Sequence, residues 1–276
     1  MLKTFFGQMG EDVFIFRNFI NQKVNDGIFI ELGACDGLIC SNTLFFEKYL
    51  NFTGILIEPD KKNYDELVKN RPNCKCFNYA IDSEEGTKEF ILNGTMSGLS
   101  KTIIHDFDNK DLWCYNPDVK KIKVKCKQLK NIIAETNITH VDFFSLDVEG
   151  GELEVLKSID WGLVDIYLIC IELCNEDTSK DELCREFLKN KGFEFIIRIG
   201  LNDYWINNQY KLKNRLFKKD IKKPFTKIKK VGDNFINDDG KFIYLKDPIP
   251  IEETYNLIRN YEKEFSSNFI NLFIQK

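Results

Sequence analysis

Apolar residues along this chain alternate between short unbroken runs and longer stretches with helical spacing. The runs Ile28-Phe29-Ile30-Glu31-Leu32, Ile55-Leu56-Ile57, Val141-Asp142-Phe143-Phe144-Ser145-Leu146 and residues 166–173 are β-branched or aromatic on both faces. Strands of a parallel sheet covered on both sides read this way. The segments between them are long enough to return as right-handed helical crossovers. Residues 43–50 form the first such helix, with Ser41 and Asn42 supplying capping oxygens, and Asp60 opens a second that runs to Asn70 and stops at Arg71-Pro72. Residues 129–136 and those following Glu152 give two more. Ser179-x-x-Glu182 is a capping box for a helix reaching Lys191, where Gly192 stops it. Ahead of the first strand, Val13, Phe16, Phe19 and Ile20 place a helix over 11–22 against the sheet edge. Residues 74–82 are expected as a third strand and 89–92 as a short added one, with 101–121 an irregular loop between that strand and the next helix. Residues 193–199 and 203–207 are expected as a closing hairpin through Gly200-Leu201-Asn202. The fold class is α/β.

The turn after the first run carries the chemistry. Gly33 and Gly37 let backbone come close to a ligand, and Glu58 leaves the tip of the second strand 25 residues after Gly33. From that position an acid grips a ribose diol. A dinucleotide site wants Gly-x-Gly-x-x-Gly, which sets a pyrophosphate on a helix N-terminus. Here the turn reads Glu31-x-Gly33-x-x-Asp36-Gly37, with carboxylates where phosphates would be repelled. Such acids suit a cofactor that has no phosphate but carries a sulfonium and an α-amino group, S-adenosylmethionine. Asp147 stands at the carboxyl end of the strand beside the first one and faces the same crevice. Glu149 and Glu152 follow it at a helix start, where acids also favour the helix dipole.

Four blocks extend this reading: Gly7-Gln8-Met9-Gly10-Glu11-Asp12; residues 29–37 with Ser41-Asn42-Thr43; Gly54-Ile55-Leu56-Ile57-Glu58-Pro59; and Leu146-Asp147-Val148-Glu149-Gly150-Gly151-Glu152. In that order they resemble the FkbM family of S-adenosylmethionine-dependent methyltransferases over residues 5–207. The resemblance implies a class I methyltransferase (Rossmann-like) fold, a seven-stranded, mostly parallel sheet with helices on both faces. It also implies O-methylation of sugars or of other secondary-metabolite hydroxyls. In that fold Ala80 and Ile81 wall the adenine and Asp82 takes its amino group. Gln8 lines the cofactor mouth or, equally well, caps the first helix. The cofactor set is thus Gln8, Glu31, Gly33, Asp36, Glu58, Ala80, Ile81, Asp82 and Asp147.

With 43% hydrophobic and 30% charged residues the chain has the composition of an ordinary globular protein, and its net charge of −4 argues against whole-protein affinity for nucleic acid. Charge is nevertheless segregated. Residues 211–230 hold ten Lys or Arg and a single acid, Asp220. They form a basic arm that suits an anionic glycan, nucleic acid or acidic lipid, or else a solvated segment. A hairpin turn over 236–242 and an amphipathic helix over 252–274 come next, with Tyr255, Ile258, Tyr261, Phe265, Phe269 and Leu272 on one face of the helix. That stripe must bury itself on its own domain or on a second copy of the chain. The chain therefore divides into a methyltransferase domain, 1–207, and a C-terminal extension, 208–276. Nine cysteines without zinc spacing, no apolar leader and no stretch long enough to span a membrane lead to the expectation of a reduced, cytoplasmic protein.

These residues point to an enzyme that moves the sulfonium methyl to a hydroxyl, on a small-molecule or glycan acceptor. Methylation of RNA ribose is the alternative within chemistry, and an assembly module on a methyltransferase fold is the one outside it. A sugar hydroxyl must lose its proton. Asp147 is the first candidate base, Glu149 the second and Glu172, at the tip of the fifth strand with Asn175, the third. A divalent metal such as magnesium is the other way to activate the hydroxyl. Trp113 and Tyr115 are candidates to stack on a sugar face, and His105 is a further candidate base.

Overall fold

The computed structural model describes residues 6–8, 10–20, 24, 26–103, 106–107, 109–110, 114, 116–173, 178–212, 228–231, 234–237 and 243–244. A seven-stranded sheet organises it. In chain order its strands are β1 (Ile28–Leu32), β2 (Thr53–Ile57), β3 (Lys75–Phe77), β8 (His140–Leu146), β9 (Asp165–Glu172), β10 (Phe193–Ile199) and β11 (Asn202–Asn207). Their spatial order is β10-β11-β9-β8-β1-β2-β3, and β11 alone runs against its neighbours. Strand order reverses at β1, so the crevice at the carboxyl ends of β1 and β8 is where a sheet of this kind takes a ligand.

Helices α1 (Glu11–Asn18), α2 (Leu44–Leu50) and α3 (Lys61–Asn70) cover one face, and α4 (Leu129–Thr136), α5 (Glu152–Lys157) and α6 (Thr178–Asn190) cover the other. Alternation along β1 explains the division. Phe29 joins Phe46, Phe143 and Tyr204 on the α1–α3 side, while Ile30 and Leu32 join Ile132, Val155 and Trp205 on the α4–α6 side. Each such buried side chain contributes about 1.5–3 kcal/mol. The core extends past the expected domain boundary at 207. Tyr210 is fully buried against Tyr167 and donates its hydroxyl to Asp142, whose other oxygen accepts from the Ile28 amide at 2.8 Å.

Several elements differ from expectation. The first helix ends at Asn18 rather than at 22. The single strand expected over 74–82 is two strands in two sheets, because Asn78 donates its side-chain amide to the carbonyls of Glu58 and Pro59 at 2.9 Å each and turns the chain out of the main sheet after β3. The next strand, β4 (Ala80–Ile81), belongs to a second, four-stranded sheet with β5 (Gly86–Leu92), β6 (Gly98–Leu99) and β7 (Lys120–Lys127), in the order β4-β7-β5-β6. The short strand expected at 89–92 is the end of β5, and the end of the expected loop, Lys120 and Lys121, already lies in β7. This sheet has its own core of Ala80, Phe90, Leu99, Val124 and Cys126. Helix α6 starts at Thr178, so the proposed capping box lies inside the helix. Three further strands, β12 (Ile228–Val231), β13 (Asn234–Asn237) and β14 (Ile243–Tyr244), pair antiparallel in order. Residues 238–242 of the expected hairpin turn lie outside the described residues. The amphipathic helix over 252–274 and most of the basic arm lie outside the described residues, as do His105, Trp113, Tyr115 and Asn175.

Candidate active site

A cavity of about 460 Å³ opens where the carboxyl ends of β1, β2, β8 and β9 meet the second sheet, the start of α1 and the 200–202 turn. Gly33 is part of its lining. Its φ is +78°, and a Cβ there would lie 2.1 Å from the Asp147 carbonyl oxygen. Only glycine lets the turns after β1 and β8 come this close.

The acids of the turn divide between structure and cavity. Glu31 was expected at the cofactor, but alternation along β1 sends it to the same side as Phe29, beneath the start of α2. There it accepts from the Asn42 amide at 2.7 Å, the Ser41 hydroxyl at 2.9 Å and the Thr43 hydroxyl at 2.6 Å. The fully buried Arg71 guanidinium completes the cluster. It donates to the Gly37 carbonyl at 3.0 Å, to Ser41 and Thr43 at 3.1 Å each and to Glu47, and lies 3.9 Å from Glu31. Asp36, also expected at the cofactor, accepts instead from the amides of Leu38 and Ile39 at 2.9 and 2.8 Å, closing its own turn. Asp82, the expected partner of the adenine amino group, is buried against Lys88 at 2.8 Å and caps the Glu84 amide at 3.0 Å. Glu31, Asp36 and Asp82 are therefore absent from the cavity lining.

Gln8, Gly33, Glu58, Ala80, Ile81, Asp147 and Glu149 do line the cavity, together with Glu172. Glu58 is 5% exposed and accepts from the amides of Cys35 at 2.9 Å and Asp60 at 2.8 Å. Burial raises its pKa to about 7, although the two amides pull it down. Asp147 and Glu172 leave neighbouring strands side by side, because Leu146 pairs with Ile171. That register sets the two carboxyl groups beside each other on the cavity wall. Burial, then the charges of Glu172 and Glu149, push Asp147 well above the usual carboxylate range; burial and Glu149 push Glu172 up to about 8. Glu152 does not line the cavity. It accepts from the Val148 and Gly150 amides at 3.3 and 3.0 Å and so shapes the turn that carries Asp147 and Glu149. Burial also pushes the Cys35 thiol up, so it stays protonated at the cavity wall.

Several lining residues escaped the sequence reading. Glu11 is buried at the start of α1 and accepts from Asn202 at 3.1 Å, a pairing made only when the closing hairpin meets the N-terminal helix. Asn42 donates to Ser145 at 3.0 Å, and its buried amide oxygen has no hydrogen-bond partner. Asn63, on the first turn of α3, lines the wall beside Glu58. Glu11 and Asn42 sat in the motif blocks and were within reach; Asn202 gave no local signal. Lys180 of α6 donates to the Gly150 carbonyl at 2.8 Å and to the Thr102 carbonyl, tying the turn after β8 to the second sheet.

Five acids line this cavity, Glu11, Glu58, Asp147, Glu149 and Glu172, and no Lys, Arg or His does so among the described residues. Charge of this sign favours a cationic ligand and opposes phosphate. An apolar wall of Ala80, Ile81, Phe90 and Leu99 adjoins it. The donor set fits S-adenosylmethionine: the orphaned Asn42 oxygen and the acids suit its cationic end, Glu58 its ribose hydroxyls and the apolar wall its base. Among the described residues no group of three or more His, Cys, Asp or Glu is arranged to hold a metal ion. Among the same residues no helix is long and apolar enough to cross a membrane, and none of the eight cysteines is in a disulfide.

A family model described as the methyltransferase FkbM domain matches residues 31–195, more than half of the chain. The chain is 24% identical over 189 residues to a protein of Beauveria bassiana (strain ARSEF 2860) called Methyltransferase 1, covering 61% of this chain and 73% of that protein. Among solved structures it is similar to a methyltransferase FkbM from Methylobacillus flagellatus KT, at 15% identity and a TM-score of 0.42, covering 66% of this chain but only 44% of the other. It is also similar to a fibrillarin pre-rRNA processing protein of Methanococcus jannaschii, at 13% identity and a TM-score of 0.40, covering 70% of this chain and 71% of that one.

Proposed function

The chain belongs to the FkbM family of methyltransferases, and from that premise we propose that it moves the methyl group of S-adenosylmethionine to a sugar hydroxyl of a glycan or glycoconjugate. The observation that carries this reading is the acid-only polar charge of the cavity, five carboxyl groups with no basic side chain among the described lining residues. It suits a cationic methyl donor and a neutral polyol, and it opposes the phosphates of a nucleic-acid acceptor.

S-adenosylmethionine supplies a methyl group already activated as a sulfonium. The protein has to hold the acceptor oxygen in line with it, and positioning of this kind supplies roughly 7–11 kcal/mol of a barrier. Glu58, which accepts from two backbone amides, is the group to take the ribose hydroxyls. Asn63 is a second polar group on the same wall. Thr95, on the turn before β6, brings a hydroxyl to the cavity lining, whereas the Ser97 hydroxyl accepts from the Asn93 amide at 2.8 Å and donates to the Gly94 carbonyl at 2.7 Å. Asp147 is the group to take the acceptor's proton, with Glu149 and Glu172 beside it.

The test is transfer from methyl-labelled S-adenosylmethionine to a panel of neutral glycans, anionic glycans and RNA. Label on neutral glycan is the expected outcome, and label on RNA alone would overturn the acceptor assignment. Asp147→Asn should lower turnover by about 10²-fold or more, the worth of a positioned base, while binding of S-adenosylhomocysteine persists. Near-normal turnover in that variant would move the role to Glu149 or Glu172.

A further inference from the structure

Asp147 and Glu172 follow the paired residues Leu146 and Ile171 at the tips of adjacent strands, and both line the cavity. Two buried carboxyls side by side resist carrying charge together, so a proton retained by one of them relieves both. Their surroundings reinforce this need. Glu149 from the turn after β8, Glu152 from the start of α5 and Glu11 from the start of α1 all raise the pKa of Glu172. Cys170 on β9 and Cys35 after β1 face the pair as protonated thiols, with the Tyr204 hydroxyl of β11 behind Cys170. The nearby cations are directed elsewhere: Lys180 of α6 at the Gly150 and Thr102 carbonyls, Arg198 of β10 at the Leu173 carbonyl and Asp203. The charge balance of the free protein is thus met by a proton.

We propose that Asp147 and Glu172 act as one acid–base unit that holds a single proton in the free protein, releases it when the cationic methyl donor binds, and takes the acceptor's proton as the methyl group leaves. This inference rests on the cavity being the S-adenosylmethionine site. A sulfonium brought to the pair replaces the proton as the compensating positive charge. In the transfer step the O–CH3 bond forms as the S–CH3 bond breaks, sulfur keeps the electron pair of that bond, and the acceptor's O–H proton passes to the pair. Sulfur loses its charge as the pair regains its proton, so the site returns to the protonation state of the free protein with a neutral thioether in place. The pair is then a base toward the acceptor and also a discriminator between methyl donor and demethylated product.

Calorimetric titration of the full chain in two buffers of different ionisation enthalpy reads this directly. S-adenosylmethionine should release about one proton more than S-adenosylhomocysteine near neutral pH, since the two share every group except the sulfonium. Affinity for S-adenosylmethionine relative to S-adenosylhomocysteine should rise with pH, by up to about tenfold per pH unit while the free pair still holds its proton, and level off once that proton is lost. Asp147→Asn and Glu172→Gln should each remove the extra proton while S-adenosylhomocysteine still binds. The pH profile of the wild-type chain needs no variant to fold. Binding of both ligands with equal proton release and a pH-independent affinity ratio would overturn the inference and leave the cofactor reading standing. Binding of neither ligand would overturn that reading and the inference with it.

Discussion

Arg71 shows how far a residue's role departs from its place in the sequence. Read along the chain it only ends a helix before Pro72. In the fold it is fully buried, stacks its guanidinium over the Phe29 ring at 5.6 Å and holds Gly37, Ser41, Thr43 and Glu47 together around Glu31. Removing one member of a buried ion cluster strands the others at a cost of about 3–5 kcal/mol. Arg71→Met should therefore destabilise the chain by that amount in a chemical denaturation series, although no atom of Arg71 lines the cavity. Glu31→Gln should likewise act through stability. If Glu31→Gln instead left the denaturation midpoint unchanged and weakened only cofactor binding, Glu31 would have to reach the cavity after all. The same distinction separates Asp36 and Asp82 from Glu58. All are acids near strand tips, but only Glu58 combines burial, two backbone donors and a place on the cavity wall.

At the scale of elements, the approach of β1 and β8 decides the shape of the cavity. Their tips are separated by the width of a glycine, Gly33, and a methyl group there would strike the Asp147 carbonyl while its backbone stayed in the left-handed region. The conformational cost alone is about 1–2 kcal/mol. Gly33→Ala should lower stability by more than this and should displace the turn that carries Asp147, so calorimetry should show cofactor binding lost or greatly weakened. A normal affinity in a folded Gly33→Ala protein would mean that the two turns are not locked together. The second sheet was only half visible from sequence. In β7, Ile122, Val124 and Cys126 alternate with lysines, a clear half-buried strand pattern, but the polar and aromatic stretch before it drew its start into the expected loop. The split of 74–82 into β3 and β4 had no such signal. It depends on Asn78 finding two carbonyls on the β2–α3 connection, a contact 19 to 20 residues away.

For the molecule as a whole, we propose that the cofactor-binding unit ends beyond the last sheet strand, at Leu212. Tyr210 fills the core beside Tyr167 and satisfies the buried Asp142. A chain ending at 212 should fold and bind S-adenosylhomocysteine, whereas one ending at 209 should be less stable by about 3–5 kcal/mol, the cost of emptying a large aromatic site. Equal denaturation midpoints for the two would place Tyr210 outside the cooperative core. The sequence by itself determined the order of strands and helices in the main sheet, the parallel class of that sheet, and the two strand tips where Glu58 and Asp147 stand. Those features arise from local periodicity and glycine placement, which act within a few residues. Only the tertiary structure decided which acids face the ligand. Glu31 and Glu58 both stand at or near the tips of apolar strands, yet pleat phase puts one under a helix and the other on the cavity wall. Only the fold, too, brought Glu11 and Asn202 together across 191 residues and set Asp147 against Glu172. These pairings arise where separate elements converge, so their physical cause is the packing of the sheet and no single stretch of chain contains it.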